Sequence, residues 1–290
     1  MMTEHVHRLA LSLLTEPGDA GVAAEVAGSS IARAVDRRRT SDLDHRIEAA
    51  IAAGRSAGLR WVCPGAADWP TSLDDLDHVE PLNGVAGAPW GLWVRGRARL
   101  DDLARRGVAV VGARSCSTYG ADVANEIAAD LSDADFVVVS GAAFGIDACA
   151  HRGALALTRP TIAVLACGAD RAYPAAHTAL LDHIVAEGGL VVSEQAPGAE
   201  PMRHRFLSRN RIIAGLAHGT VVVEAAHRSG SLNTLNWADR LGRSTMAVPG
   251  PVTSRRSAGS HDALREGRAV LVTSAADVLT ELDAAGVVTG

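Results

Sequence analysis

The sequence contains no lysine, so all 28 of its basic side chains are arginines. They are outnumbered by 33 aspartates and glutamates, which gives a formal net charge of -5 at pH 7. This acidic balance argues mildly against nucleic acid as a ligand. Net charge is an average, however, and the affinity for phosphate groups depends on the local field. Composition therefore leaves a polyanionic ligand open.

Aromatic side chains are also rare, at 3% of the chain. This fraction excludes a surface that stacks bases on many rings, so any stacking must come from one or two residues. The cysteines form no CxxC pair and no spacing typical of metal ligands, which predicts reduced thiols and no metal site. They are Cys63, Cys116, Cys149 and Cys167.

The N-terminus lacks a basic start followed by a long apolar run, and no apolar stretch approaches the length of a membrane span. We therefore expect a soluble cytoplasmic protein with no membrane partner. Hydrophobic residues make up 48% of the 290 residues, which is enough for a substantial buried core.

The chain divides into three parts by composition. Residues 1–60 are rich in alanine and leucine with helical periodicity, which predicts a small helical domain. Residues 61–89 are marked by tryptophan and proline and are predicted to form a linker. Residues 90–290 are predicted to form a Rossmann-like domain.

In this last part, short β-branched runs alternate with helical segments. The pattern predicts an α/β fold with an extended, mostly parallel sheet covered by helices on both faces. The predicted strands are Val108–Val111, Phe136–Val139, Thr161–Leu165, Leu190–Val192, Thr220–Val223, Thr245–Val248 and Ala269–Val272. Ligands of such sheets bind at the carboxyl ends of the strands, so the loops after the strands carry the functional prediction.

The loops after the first two strands contain glycines that let backbone N–H groups approach an anion. Arg114 adds a forked phosphate donor to the first loop, although an ordinary tight turn with a solvated Arg114 explains that loop equally well. We take as candidate phosphate ligands Gly112, Arg114, Ser115, Ser140, Gly141 and Gly145.

Asp147 and His151 follow the second loop one helical turn apart, a spacing that suggests either a catalytic pair or a structural one. No serine or cysteine nucleophile is evidently paired with them. We therefore expect both to hold the loop, with Asp147 capping the helix. After the third strand, Tyr173 could stack on a ligand, but we expect it to pack under its loop.

The segment 201–214 places four arginines and a histidine around Phe206. Arginines next to an aromatic ring are typical of a surface that binds a single strand. The alternative is a solvated basic helix start with Phe206 in the core and with Arg209 or Arg211 in an internal salt bridge. The candidate ligands here are Arg203, Phe206, Arg209, Asn210 and Arg211.

The loop after the fifth strand begins with Glu224, which we expect to structure it. The residues that follow offer hydroxyl groups and backbone N–H groups at a helix start, which suits a phosphate, and a plain serine-capped helix is the alternative. The candidate ligands are Ser229, Gly230, Ser231 and Thr234. Because several loops at one sheet edge suit anions, their convergence is better evidence than any one of them.

These loops together resemble the DNA-processing protein A family (DprA, also called Smf) over residues 60–283. The matching stretches are VAVVGARSCSTYG, VVSGAAFGIDACAHRGAL, AVLACGADRAYP, VVSEQAPG, RHRFLSRNRIIAGL, VVVEAAHRSGSLNT and MAVPGPV. The resemblance implies a homodimeric protein that binds single-stranded DNA in natural transformation and interacts with the recombinase RecA to promote its loading. It assigns phosphate binding to Gly112 and Arg114, and makes Arg203 and Phe206 a phosphate clamp and a base-stacking ring.

The resemblance also implies that residues 1–60 correspond to the small SAM-like domain of many family members. It shows departures, since Leu207 stands where the family usually has proline and no counterpart of the winged-helix-like C-terminal domain of some members follows.

Two enzyme classes compete with this reading. Lysine-decarboxylase-like phosphoribohydrolases carry a glutamate in PGGxGTxxE, but after Thr234 the first carboxylate here is Asp239. NAD-dependent oxidoreductases carry a GxGxxG fingerprint, which is absent here. We therefore predict a binding protein without catalytic residues or cofactors.

Overall fold

The apolar runs of the second half form the centre of a nine-stranded sheet with the order β1-β2-β6-β5-β4-β3-β7-β8-β9. The computed structural model describes residues 2–287, so the last three residues of the predicted Rossmann-like part lie outside it. The strands are β1 (Leu59–Val62), β2 (Leu92–Arg95), β3 (Gly107–Val111), β4 (Val137–Ser140), β5 (Thr161–Leu165), β6 (Leu190–Ser193), β7 (Gly219–Val222), β8 (Ser244–Ala247) and β9 (Val270–Leu271).

All neighbouring strands from β6 to β9 in the sheet order pair in parallel, whereas β1 and β2 add an antiparallel edge beside β6. The helices are α1 (Glu4–Leu14), α2 (Ala20–Ala27), α3 (Ile31–Arg38), α4 (Leu43–Ser56), α5 (Leu100–Ala104), α6 (Thr118–Asp133), α7 (Ile146–Ala156), α8 (Thr178–Ala186), α9 (Arg203–Gly215), α10 (Ser231–Arg240), α11 (Ala258–Arg265) and α12 (Ala275–Ala284). Within residues 2–287, none of the helices has the length and apolarity that crossing a bilayer requires.

Strand β3 shows why both faces of the sheet are covered. Successive side chains of a strand point to opposite faces. Val108 and Val110 therefore join one buried cluster, which includes Leu131 of α6, while Ala109 joins another, which includes Trp237 of α10. A strand that is apolar at every position needs helices on both sides, and the predicted mostly parallel α/β fold is confirmed.

The N-terminal helices α1–α4 are formed as the alanine-rich periodicity predicts. The starts of α1, α2 and α3 carry side-chain caps, as where Asp19 accepts the N–H groups of Gly21 and Val22. Leu9 and Leu43 are buried in a cluster that also contains Trp93 of β2. The helical region thus packs onto the sheet through a shared core.

The structure corrects the predicted linker over residues 61–89. Its first residues complete β1, and a 3-10 helix (Thr71–His78) buries Leu73 and Leu76 completely in the core under α9. The prolines that suggested a linker lie outside β1 and the 3-10 helix, and Trp69 from the same stretch is buried in the core. Gly215 of α9 allows the contact, because a Cβ there would lie 2.9 Å from Leu73 Cδ2.

The strand order positions the functional loops. From β3 the chain runs outward through β4, β5 and β6 and then returns to place β7 on the other side of β3. The loops after β3 and β7 consequently diverge at a topological switch point, where open α/β sheets bind their ligands. The backbone N–H of Ala113 reaches the carbonyl oxygen of Glu224 at 2.7 Å across this point.

We predict that Leu73→Ala lowers the free energy of unfolding by about 2–5 kcal/mol, because it leaves a cavity in the core. Denaturant unfolding measures this change, and Leu157→Ala is the control because Leu157 is 41% exposed. An effect of Leu73→Ala as small as that of the control would mean that residues 61–89 do not belong to the core.

Candidate nucleic-acid interface

The carboxyl edge of the sheet carries a groove of about 940 Å³ between the loops after β3, β4 and β7 and the helix α9. Most of the candidate ligands predicted from the sequence meet there. Those that line the groove are Gly112, Arg114, Ser115, Arg203, Phe206, Arg209, Asn210, Ser229, Gly230, Ser231 and Thr234. Of the residues expected to structure the loops, Asp147 also lines it.

The loop after β3 is held by the carboxylate of Glu224, which is buried at the end of β7. The backbone N–H and the hydroxyl of Ser117 donate to it at 2.8 and 2.6 Å. Gly120 lets the carboxylate approach α6, since a Cβ there would lie 2.4 Å from Glu224 Oε2. Glu224 thereby fixes the start of α6 and the backbone that presents Arg114.

The loops after β3 and β4 lock into each other. Gly145 has a positive φ of 78°, and a Cβ on it would lie 2.2 Å from the carbonyl oxygen of Ala113. Asp147 does not cap α7 as expected, because Gly145 is the N-cap residue of that helix. The Asp147 carboxylate instead accepts the N–H of Ala143 at 3.4 Å. Burial raises the pKa of Asp147, and this effect outweighs the nearby charge of Arg209 and the backbone hydrogen bonds, which lower it.

Helix α9 faces the groove with a stripe of side chains at helical spacing. Arg203, Phe206, Leu207 and Asn210 line the groove along this stripe. Arg203 is exposed and Phe206 is half-buried. The leading end of α9 is fixed from outside the sheet, because Arg205 donates to Glu16 at 2.8 Å. The hydrogen bonds that Glu16 accepts from Arg205 and, to a lesser extent, from His204 lower the pKa of its carboxyl group.

The Phe206 ring lies between two other groups. The Arg114 guanidinium carbon stands 4.6 Å from the centroid of the Phe206 ring, a cation–π contact. The Tyr173 ring centroid lies 5.5 Å from that of Phe206, tilted by 54°. Tyr173 is 42% exposed and lines the groove, which corrects the expectation that it packs under its loop. The available signal was its place in the loop that follows β5, in a chain with few aromatic residues.

Arg209 forms the floor of the groove rather than its rim. It is buried, and its Nη1 donates to the carbonyl oxygen of Val164 at 2.5 Å. A Cβ at position 141 would lie 1.9 Å from that Nη1, so a side chain there would displace the Arg209 guanidinium. Burial lowers the pKa of Arg209 to about 10. The positive charge of Arg114 also lowers this pKa, whereas the carboxylate of Asp147 raises it. Arg209 thus keeps its positive charge at neutral pH.

Arg211 does not belong to the groove, which corrects its assignment as a phosphate ligand. Its side chain is completely buried, and both terminal nitrogens donate to the carboxylate of Glu194 at 2.8 and 2.7 Å. Its Nε donates to the carbonyl oxygen of Gly87 at 2.9 Å. This is the internal salt bridge that the sequence left open for Arg209 or Arg211.

Three further predicted phosphate ligands do not line the groove, which corrects their assignment; they support it from behind, as does His151, which was expected to hold its loop. Ser140 is buried and donates to the carbonyl oxygen of Val110 at 2.7 Å, while Gly141 and Gly145 provide the close approaches described above. His151 contacts the hydroxyl of Thr161 in β5 at 2.9 Å through Nδ1. Burial lowers the pKa of His151 to about 3, so the ring is neutral.

The start of α10 forms the opposite wall. Asn210 of α9 donates to the carbonyl oxygen of Gly230 at 3.1 Å and so ties this wall to the stripe. The hydroxyls of Ser229 and Ser231 lie 2.7 Å apart, and Thr234 is buried one turn further on. The N–H groups of Ser231, Leu232 and Asn233 already donate to Ser229 and Gly230, so this wall offers an anion its two serine hydroxyls and the positive end of the α10 helix dipole. The wall can therefore hold a phosphate group.

The charge of the groove is opposite to that of the whole chain. Arg114, Arg203, Arg228 and Arg256 line it, are exposed, and make no ion pair with a carboxylate within residues 2–287. Arg256 also donates to the carbonyl oxygen of Ser115 at 2.6 Å. Arg228 and Arg256 lie in loops that the sequence marks as polar or anion-binding, but neither was among the predicted ligands. In the sequence, each is an arginine in a polar loop that follows a strand. Many solvated arginines have the same setting, so the sequence does not distinguish a ligand from a surface residue.

The fold and the groove together define an open α/β protein that binds anions at the carboxyl edge of its sheet. The combination of several unpaired guanidinium groups with two aromatic rings suits an extended polyanion that carries flat groups.

The chain belongs to the DNA recombination-mediator protein A family, whose sequence model matches residues 60–283. It is 43% identical to a Mycobacterium tuberculosis protein that carries the DprA name, over 93% of this chain and 72% of that one. It is 44% identical to the DNA processing protein DprA of Streptococcus pneumoniae, over 73% of this chain and 74% of that one.

Two solved structures share the fold. The X-ray structure of Streptococcus pneumoniae DprA superposes with a TM-score of 0.75 at 35% identity, covering 97% of this chain and 98% of that one. A structure of Helicobacter pylori DprA, which concerns the single-stranded DNA binding mode of that protein, superposes with a TM-score of 0.66 at 25% identity. It covers 78% of this chain and 97% of its own.

We predict that Glu194→Ala lowers the free energy of unfolding by about 3–5 kcal/mol, because it leaves the Arg211 guanidinium buried without its counter-ion. Chemical denaturation measures the change. Glu126→Ala is the control, since Glu126 is exposed on α6. Equal stabilities of the two variants would contradict the buried pair.

Proposed function

We propose that this protein binds single-stranded DNA along the groove and is not an enzyme. The proposal rests on one groove of an acidic protein, in which four exposed arginines without an ion pair among residues 2–287 lie together with the rings of Phe206 and Tyr173. The sequence and fold relationship to DprA proteins supports it, since one of the solved relatives is described by its single-stranded DNA binding mode.

The arginines are suited to the phosphate backbone. A guanidinium group donates two parallel hydrogen bonds to phosphate oxygens. Arg114 and Arg203 stand near the aromatic pair, Arg228 stands near the start of α10, and Arg256 stands beside Ser115. Positive groups on several sides of one groove suit successive phosphates of a strand. Arg209 adds a fixed charge beneath them.

The aromatic pair is suited to unpaired bases. Every base has a face that can stack on a ring, so such contacts tolerate any sequence. In a duplex the base faces are covered by their neighbours. Arg114 covers part of the Phe206 ring, and its guanidinium moves aside or stacks with the incoming base when the strand binds. We therefore expect a preference for single strands and little sequence specificity.

The proposed role in the cell follows from the family. We propose that the protein protects incoming single-stranded DNA in natural transformation or recombination, acts as a homodimer and promotes loading of the recombinase RecA. A gel shift of single-stranded against double-stranded oligonucleotides, followed by addition of RecA, tests both steps. Preference for the duplex would contradict the first step, and unchanged RecA filament formation would contradict the second.

The chemistry of the groove supports a binding role. Among the described residues that line the groove, one carries a carboxylate, Asp147. That carboxylate is buried and accepts the backbone N–H of Ala143. His151 lies behind the groove, paired with Thr161. Both side chains contact groups of the protein itself, which suits the loop-holding role predicted for them.

We predict that affinity for an oligothymidylate falls steeply with salt, because arginines displace condensed counter-ions. Replacing Arg114, Arg203, Arg228 or Arg256 by alanine should weaken binding. Each replacement should also reduce the slope of log K against log salt by about 0.7. Fluorescence anisotropy titrations over a range of salt concentrations measure both effects.

Arg33→Ala is the charge-matched control, because Arg33 is exposed on α3 and does not line the groove. It should leave the slope unchanged. If all four groove variants kept the slope of the unaltered protein, the DNA would bind elsewhere.

We predict that Phe206→Ala loses roughly 1–3 kcal/mol of binding free energy for single-stranded DNA, the range for one stacked base. The conservative variant Phe206→Leu keeps apolar volume without an aromatic face and should lose nearly as much. Isothermal titration calorimetry compares the three proteins. Full affinity in Phe206→Leu would show that the ring fills space instead of stacking.

A further inference from the structure

Phe144 exposes an aromatic ring that the groove does not use. It is 50% exposed in the loop between β4 and α7, in a chain that has three phenylalanines. Of the other two, Phe136 is buried and Phe206 lies in the groove. A single exposed apolar residue is normal on a protein surface. The surroundings of Phe144 decide whether its exposure has a use.

The ring of Phe144 is held in a fixed place. It packs edge-to-face on His177, with 4.8 Å between the ring centroids and 70° between the planes. His177 is itself buried and contacts the carbonyl oxygen of Ala142 at 2.9 Å through Nδ1. Ala142 has a positive φ of 51° and is fully buried. The loop is therefore anchored on both sides of the ring, and ordering it costs little entropy when a ligand binds.

The ring lies at the rim of the groove, next to its aromatic end. Its neighbour Ala143 lines the groove, and Gly145 packs against the backbone of Arg114. The short segment 173–177 links the two aromatic contacts, because Tyr173 meets Phe206 at its start and His177 meets Phe144 at its end. Two aromatic pairs thus lie side by side along one edge.

We propose that Phe144 is a second base-stacking position, for a nucleotide of the strand that leaves the groove past Tyr173. The proposal rests on the proposed binding of single-stranded DNA. A base is the expected occupant because the ring continues the aromatic end of the groove, is held rigidly, and leaves half of its surface open. Stacking there requires no hydrogen-bond readout, so this position accepts any base.

The test is a length series of oligothymidylates, from one that just fills the groove to ones several nucleotides longer, titrated by anisotropy. Phe144→Ala should bind the longer strands about fivefold or more weakly, the equivalent of one stacked base. It should bind the shortest strand with unchanged affinity. Leu157→Ala is the control, as it removes a comparably exposed apolar side chain from the far end of α7.

A second variant and an abasic scan make the test independent of folding. Phe144→Trp should keep the affinity, and its indole fluorescence should be quenched by the longer strands only. An abasic nucleotide at the position that stacks on Phe144 should weaken the unaltered protein by the same factor. It should have no further effect on Phe144→Ala, because the stacking contact is already lost.

Three results would overturn the proposal. One is undiminished binding of long strands by Phe144→Ala. Another is an equal loss at every strand length, which would mean that the ring acts through the loop. The third is a change of mass in light scattering with unaltered DNA binding, which would make Phe144 a protein contact. If the unaltered protein bound no single strand at all, the proposed function itself would fail.

Discussion

The buried ion pair between Arg211 and Glu194 fixes the helix on which the groove depends. Two parallel hydrogen bonds hold the guanidinium group to the end of β6, and the contact with Gly87 holds it to the segment before β2. Two residues earlier, Arg209 is bound to the end of β5. Because α9 is anchored at its middle, its leading residues Arg203 and Phe206 must project over the loop after β3. The stripe that faces a ligand is thus positioned by charges that no ligand reaches.

The same helix explains how an acidic chain can offer a positive surface. Arginines that are close in sequence on α9 have different partners, because successive residues of a helix point in different directions. Arg211 is neutralised by Glu194, Arg205 pairs with Glu16, and Arg203 remains free in the groove. The acidic residues that give the chain its net charge lie largely elsewhere. The affinity for phosphate depends on this local distribution of charge and not on the net charge of the chain.

The core strands and the converging loops could be predicted from the sequence because both follow from local patterns. A β-branched run such as Thr161–Leu165 identifies a buried strand, and parallel strands bring their following loops to one edge. The edge strand β1 could not be predicted in this way. It has four residues and shares its segment with prolines and glycines, so its pairing depends on β2 much later in the chain. The burial of Leu73 under α9 is likewise a tertiary contact.

The roles of individual arginines were harder still. The run from Arg203 to Arg211 gives no local sign of which side chain meets a carboxylate, because Glu194 lies on another element. Tyr173 was misjudged for a related reason, since its exposure depends on where Phe206 and Arg114 stand. The glycines were ambiguous for another reason, because Gly141 and Gly145 make room for groups of the protein itself and not for a ligand. Gly112, Gly141 and Gly145 each mark a place where another group comes too close for a Cβ.

If separate loops at the carboxyl edge act as one single-strand-binding surface, a bound strand should protect all of them together. Hydrogen–deuterium exchange with and without a saturating oligothymidylate tests it most directly. We expect slower exchange in three separated segments at once, residues 112–117, 202–207 and 228–234, with α1–α4 unchanged. Protection confined to the N-terminal helices or to the edge strand β9, with these segments unaffected, would contradict it.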